Sequence, residues 1–281
     1  MLRIAVPNKG SLAEPAGLML HEAGYRQRTD PKDLVLADPD NDAEFFFLRP
    51  RDIAVYVGEG TLDLGITGRD LLLDSGTDAE EILTLGFAQS SFRYAARVGT
   101  AASVADFAGK RVATAYPNLV EKHLSEHGVS AQVVRLDGAV EGAVRLGVAD
   151  VIADVVSTGL TLRQAGLELV GDVIVHSEAV LIRRTGGAVD PAVAQLVRRL
   201  QGVLVARRYV MMAYDVPVGL LERACALTPG IESPTISPLQ NRDWVAVNAL
   251  VLRRDTNPVM DALWELGARG ILVTDIHACR L

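Results

Sequence analysis

Residues 141–162, reading EGAVRLGVADVIADVVSTGLTL, restrict the possible folds more than any other part of the chain. They join a short helical pattern over 141–146, a turn glycine at Gly147, an apolar strand over 151–156 and a loop of Ser157, Thr158, Gly159 and Thr161 that opens another helix. At such a strand-to-helix junction, free backbone N–H groups and the positive end of the helix dipole point into the loop and attract an anion. Asp154 stands near the carboxyl end of the strand, the edge where open α/β sheets bind ligands. A carboxylate there can accept both hydroxyls of a ribose while the loop takes its phosphate. Taken singly, each part also fits an ordinary N-cap, turn and solvated strand end.

The combined spacing is more specific. Glu141, Gly147, Ala149, Ile152, Asp154, Val155, Thr158, Gly159, Thr161 and Leu162 together resemble the signature of the ATP phosphoribosyltransferases, the family that begins histidine biosynthesis. The resemblance implies condensation of ATP with 5-phosphoribosyl 1-pyrophosphate to give N1-(5-phosphoribosyl)-ATP and pyrophosphate. It puts Glu141, Asp154, Ser157, Thr158, Gly159, Leu160 and Thr161 around the phosphoribosyl group. Mg²⁺ is expected mostly on substrate oxygens and water, because the chain has no dedicated carboxylate cage.

At 281 residues the chain is too long for one ordinary core and suits two or three small domains. No apolar run approaches the ~18 residues of a membrane helix, so a soluble protein without membrane partners is expected. Met1 leads straight into a buried strand and a Lys-Gly turn, unlike a cleavable signal peptide. Cys225 and Cys279 are far apart, without CxxC spacing, which fits a reduced cytoplasm better than a disulfide framework. The net charge of −7 argues against nucleic-acid binding, while a few cations converging in one cleft can still hold a small anion.

The amino-terminal half repeats the same junction. Residues 2–6 read as a buried strand, followed by Pro7-Asn8-Lys9-Gly10-Ser11 and a helix over 12–23; residues 34–37 and 44–48 read as paired strands; Pro50 opens a helix to about Val57; and 63–66 leads through Gly-Arg69-Asp70 into another helix. Three such loops imply a parallel sheet with polar groups along its carboxyl edge. From the residues alone, Lys9 is a phosphate partner or a solvated turn lysine, and Arg49 and Asp70 are cleft residues or helix caps and surface ion pairs. The resemblance favours Lys9 and Arg49 as cationic support for pyrophosphate, with Arg69, Asp70 and Tyr116 as nucleotide candidates. Residues 81–97 read as strand interrupted at 89–91 and resemble a crossover to a second lobe. There, strands over 111–115 and 132–136 alternate with helices over 117–127 and 138–146. Strands over 167–175 and 178–183, joined by a tight turn, carry the chain back.

The expected architecture is α/β: a first lobe of residues 1–90 plus 176–186, a second of 91–175, a linker helix over 187–206 and a last domain over 207–281. Two lobes joined by two crossings form a hinged cleft as in periplasmic-type binding proteins, the fold the resemblance also implies. The last domain reads strand-helix-strand-strand-helix-strand, the ferredoxin-like order. By resemblance to the family's long form it is the ACT-like regulatory domain, binding histidine as inhibitor through Asp215, Ile231, Ser233, Thr235, Leu250 and Gly270, in a dimer-to-hexamer assembly. Asp215 as a turn residue and Ser233 and Thr235 as edge-strand hydroxyls are the alternatives that the residues alone leave open. Rival functions are a non-catalytic two-lobed solute-binding protein and a ligand-sensing regulator, the latter without a helix-turn-helix ahead of the first strand.

Overall fold

The computed structural model describes residues 1–138, 140–156, 159–187 and 190–280, in two compact units: residues 1–21 with 25–193, and residues 22–24 with 194–281. In the first unit the chain runs β1 (Leu2–Pro7), α1 (Ala13–Glu22), β2 (Val35–Asp38), β3 (Ala43–Leu48), α2 (Pro50–Gly58), β4 (Leu64–Gly68), α3 (Arg69–Ser75) and β5 (Ala79–Thr84). It continues through β6 (Ser90–Arg97), β7 (Arg111–Thr114), α4 (Pro117–Glu126), β8 (Gln132–Arg135), β9 (Val151–Val156), α5 (Leu160–Gln164), β10 (Leu167–Ser177) and β11 (Ala179–Arg184).

These strands form two sheets. The first has the order β2-β3-β1-β4-β11-β5, with β1 parallel to β3 and β4, and the second β10-β6-β9-β7-β8, with β7 parallel to β8 and β9. The chain leaves the first sheet after β5 and returns to it with β11, so each lobe is an α/β layer and two crossings join them. Each parallel junction exists because a fully buried strand must be followed by a covering helix. Ile53, Ala54 and Val57 of α2, all at 0 % exposure, pack with Ala5, Val180 and Ile182 of the first sheet.

Two expected helices differ. Over 138–146 there is one 3₁₀ turn, Val140–Gly142, followed by non-helical turns. Gly142 inside the segment lowers helix stability by ~1 kcal/mol relative to alanine, and Gly138 and Gly147 at its ends take positive φ, which a helix does not allow. The helix after the hydroxyl loop, α5, is only five residues long, so its dipole is weak and an anion there depends on individual N–H groups. The interrupted strand over 81–97 is two strands in different sheets, β5 and β6, separated by a bend where Gly86 and Ala88 both take positive φ.

The second unit is entered through α6 (Pro191–Arg208) and contains β12 (Tyr209–Pro217), α7 (Leu221–Leu227), β13 (Thr235–Pro238), β14 (Trp244–Leu252), α8 (Thr256–Leu266) and β15 (Arg269–Asp275). The antiparallel sheet has the order β13-β14-β12-β15, the ferredoxin-like arrangement. Burial alternates along β12: Val210, Met212, Tyr214 and Val216 pack with Leu263 of α8 and Ala224 of α7, while Met211, Ala213 and Asp215 face the other way. The edge strand β13 is only four residues long, with residues 231–234 before it outside the sheet.

Gly65 marks the tightest fit of helix on sheet. A Cβ there would lie 2.5 Å from Ile53 Cγ2 and 3.0 Å from Val57 Cγ2. Gly65→Ala is expected to destabilise the first unit by about 1–3 kcal/mol, read as a lower midpoint in thermal unfolding followed by circular dichroism.

Candidate active site

The carboxyl edges of both sheets meet across one cleft. On the first lobe, β1 ends in the Asn8-Lys9-Gly10 turn, with Gly10 at φ +79, while the Asn8 amide N–H donates to Leu48 O at 2.8 Å. β4 delivers Asp70 to the start of α3, where the carboxylate is 6 % exposed and folds back over Gly68, whose missing side chain leaves the room. Ser177, at the return crossing, donates its hydroxyl to Asp70 Oδ1 at 2.6 Å and accepts the Asp70 amide at 3.1 Å. Tyr116 precedes α4 on the second lobe and lies in the field of the same carboxylate, with which it lines one cavity. Burial and then the Asp70 charge push its phenol pKa well above the usual tyrosine value, so it is a neutral donor. Phe92 meets the Tyr116 ring edge-on at 5.0 Å.

Lys9, Ser11, Asp70, Tyr116, Val155 and Glu178 line a cavity of about 280 Å³. Asp154, on β9 beside Val155, is largely buried. Desolvation raises its pKa above the ordinary carboxylate value, and the negative charges of Glu141 and Asp70 add to this; the Val155 N–H, 2.7 Å from Oδ1, and the Arg51 guanidinium oppose it. A carboxylate of the second lobe thus lies in the field of Asp70 and Arg51 from the first. Its neighbour Val155, rather than Asp154 itself, lines the cavity.

Lys9, Asp70 and Tyr116 come together, and Glu141 is close enough to Asp154 to perturb it. Gly159 takes the left-handed conformation at φ +68 and starts α5, with Leu160 and Thr161 exposed behind it. Ser157 and Thr158 lie outside the described residues. Arg49 is exposed at the head of α2, next to the cavity-lining Pro50. Arg69 is turned elsewhere: its guanidinium forks onto Glu81 with two bonds of 2.8 Å and reaches His176 O at 3.0 Å and Glu178 at 3.4 Å. Its expected nucleotide contact is therefore replaced by an internal ion-pair network. Arg51, Ser177 and Asp74 were not singled out by sequence. Arg51 had one usable cue, its place two residues after Arg49 in the first turn of α2.

In the second unit, Asp215, Thr235 and Leu250 share the helix-free face of the sheet, since Thr235 pairs through Asn248 with Ala213 and Leu250 pairs with Met211. Gly270, at φ +60, lies beside Asp215: a Cβ there would be in ordinary contact with Oδ2, at 3.6 Å. Ile231 and Ser233 are exposed in the loop before β13, with the Ser233 hydroxyl donating to Pro234 O at 3.2 Å.

Fold and site define a two-lobed α/β protein with a polar cleft suited to a hydroxylated, anionic ligand, extended by a ferredoxin-like module. The ATP phosphoribosyltransferase family model matches residues 49–202, and the model of the HisG C-terminal domain matches residues 206–278. The ATP phosphoribosyltransferase of Pseudarthrobacter chlorophenolicus is 64 % identical over 284 residues and that of Salinispora tropica 63 % over 281, each match covering 100 % of both chains. A chain of the ATP phosphoribosyl transferase (HisG:HisZ) complex from Thermotoga maritima superposes with a TM-score of 0.64 at 26 % identity, over 73 % of this chain and 98 % of that one. The chain belongs to the ATP phosphoribosyltransferase family, in its long form. It is an enzyme, a pentosyltransferase, and the solute-binding reading is set aside.

The raised pKa of Asp154 carries a stability consequence. An acid whose folded-state pKa lies above its unfolded value destabilises the fold when ionised, and this effect fades as pH falls through the folded pKa toward the unfolded one. Asp154→Asn is expected to raise the unfolding temperature at neutral pH, with the two proteins converging as pH approaches about 4. Scanning calorimetry across that range checks it.

Proposed function

We propose that the cleft of the first unit holds phosphoribosyl pyrophosphate and ATP together and joins adenine N1 to the anomeric carbon. The N1–C bond forms as the bond from that carbon to the pyrophosphate oxygen breaks, and the electron pair leaves with pyrophosphate. This is the reaction of the family and the first step of histidine biosynthesis. Neutral N1 needs no base to attack, so the protein contributes positioning and preorganised charge. Asp154, with Glu141 beside it, accepts the ribose hydroxyls. The segment leading through Gly159 to Thr161 takes the 5-phosphate, and Lys9 and Arg49 stabilise the leaving group.

The adenine ring lies in the cavity against Tyr116 and Asp70, with Arg69 holding that wall through Glu81 and Glu178. The observation that carries this reading is that charged groups from both lobes converge on Asp154. A carboxylate kept partly desolvated among like charges is a poor structural choice and a good receptor for hydroxyl donors. Mg²⁺ would be carried by substrate phosphates and water, since among the described residues no group of three or more His, Cys, Asp or Glu could hold an ion, and would neutralise charge on the departing pyrophosphate. Closure of the two lobes excludes water from a sugar that develops cationic character.

The last domain is the histidine sensor in this proposal. Asp215 takes the amino group or imidazolium, while the 231–235 segment and Gly270 enclose the ligand. The helix-free sheet face, where Met211 is 37 % and Leu272 65 % exposed, favours assembly of dimers into a hexamer. A cytoplasmic site is proposed on the family's biosynthetic role; among the described residues no helix is long and apolar enough to cross a membrane.

Pyrophosphate release from ATP, phosphoribosyl pyrophosphate and Mg²⁺ tests the catalytic assignments. Lys9→Ala is expected to lower kcat by roughly 100-fold, in line with loss of one preorganised charge at the leaving group; an unchanged kcat would remove Lys9 from that role. Asp215→Ala is expected to weaken histidine inhibition by about tenfold or more, as for loss of a charged hydrogen bond, with uninhibited kcat retained. Inhibition curves of the two proteins read this out.

A further inference from the structure

Asp74 is a carboxylate without a part in the assignments above. It is the penultimate residue of α3, on the first lobe, and is 5 % exposed. Its Oδ2 accepts Arg51 Nη1 at 3.0 Å, and its Oδ1 accepts the Leu119 amide at 3.1 Å. Its backbone oxygen accepts Asn118 Nδ2 at 2.7 Å. Arg51 belongs to α2 of the same lobe, whereas Asn118 and Leu119 are the second and third residues of α4 on the opposite lobe.

Helix α4 starts at Pro117 without a side-chain cap from Tyr116 in the capping position. The first N–H groups of a helix need acceptors, and a carboxylate suits both those donors and the positive end of the dipole. Here the carboxylate reaches across the cleft from the other lobe. It therefore sets where α4 begins, and with it Tyr116. The same carboxylate anchors Arg51, whose guanidinium carbon lies 5.0 Å from the Tyr116 ring centroid. Released from Asp74, Arg51 would be drawn toward Asp154, which its charge already reaches.

We propose that Asp74 is a positioning residue for the nucleotide: it caps α4 across the cleft and holds Arg51 against Tyr116, so that Tyr116 and Asp70 stand as one wall of the adenine slot. This rests on reading the cavity beside Tyr116 as that slot.

The test uses the full chain with Asp74→Ala, Asp74→Asn and Tyr116→Ala, measuring kcat, the KM of each substrate and amide hydrogen exchange at Leu119. Asp74→Ala is expected to raise the KM for ATP about tenfold with kcat within about twofold, and to speed Leu119 exchange about tenfold, as fits loss of charged hydrogen bonds. Asp74→Asn retains an oxygen for Leu119 but cannot hold Arg51. Leu119 protection should return to within about threefold of wild type while the KM for ATP stays raised. Should Asp74→Ala fail to fold, the Asn variant decides by the same split.

Faster Leu119 exchange with an unchanged KM for ATP would make Asp74 a helix cap only and overturn the proposal. An equal loss for both substrates would do the same. If Tyr116→Ala, with Asp74 intact, left the KM for ATP unmoved, the adenine assignment of the cavity would fall instead.

Discussion

The first unit is organised around an unfavourable charge. Asp154 sits at the end of a buried strand, partly desolvated and within reach of Glu141 and Asp70, where a neutral residue would be easier to accommodate. The surrounding structure makes this tolerable by limited means. Val155 donates one amide to Oδ1, and Arg51 supplies the nearest positive field. Under the proposed function the remaining demand is met when a ligand brings hydroxyls or a cation, so that binding would relieve what folding leaves uncompensated. This is how preorganisation acts in a polar site: the arrangement is assembled beforehand, and its cost falls on stability rather than on the bound state.

The two lobes are linked by polar contacts as well as by chain crossings. Asp70 is fixed by Ser177 from the return crossing, its charge reaches Tyr116 of the second lobe, and Asp74 joins the end of α3 to the start of α4. Polar contacts of this kind are directional. The cores of the lobes are built on Ile53, Val57 and Ile182 for the first and on Phe92, Tyr94 and Val151 for the second, and the second packs directly against Tyr116 and Val155 at the cavity.

Much of this was legible along the chain, wherever the cause is local. Parallel strand-loop-helix junctions announce themselves through an apolar run, a glycine or hydroxyl turn and a following helix, and β1, β3, β4 and β9 do so. The split βαβ order of the last unit is equally plain. Over 138–146 the apolar spacing is that of a helix, but Gly138 and Gly142 oppose it and a single 3₁₀ turn forms among the described residues. Arg69 shows the opposite failing: its position at the head of α3 is correct, but Glu81 and Glu178 are distant in sequence and only the folded sheet brings them to it. Asp74 and Arg51 belong with Arg69, since a carboxylate capping a helix of another lobe leaves no periodicity or motif to read.

A structure determined with phosphoribosyl pyrophosphate bound tests the central claim most directly. The account predicts ribose hydroxyls within hydrogen-bond distance, about 2.5–3.0 Å, of the Asp154 carboxylate, with the 5-phosphate at the segment entering α5. A ribose seated elsewhere in the cleft, with Asp154 left to solvent or to protein partners alone, would contradict it.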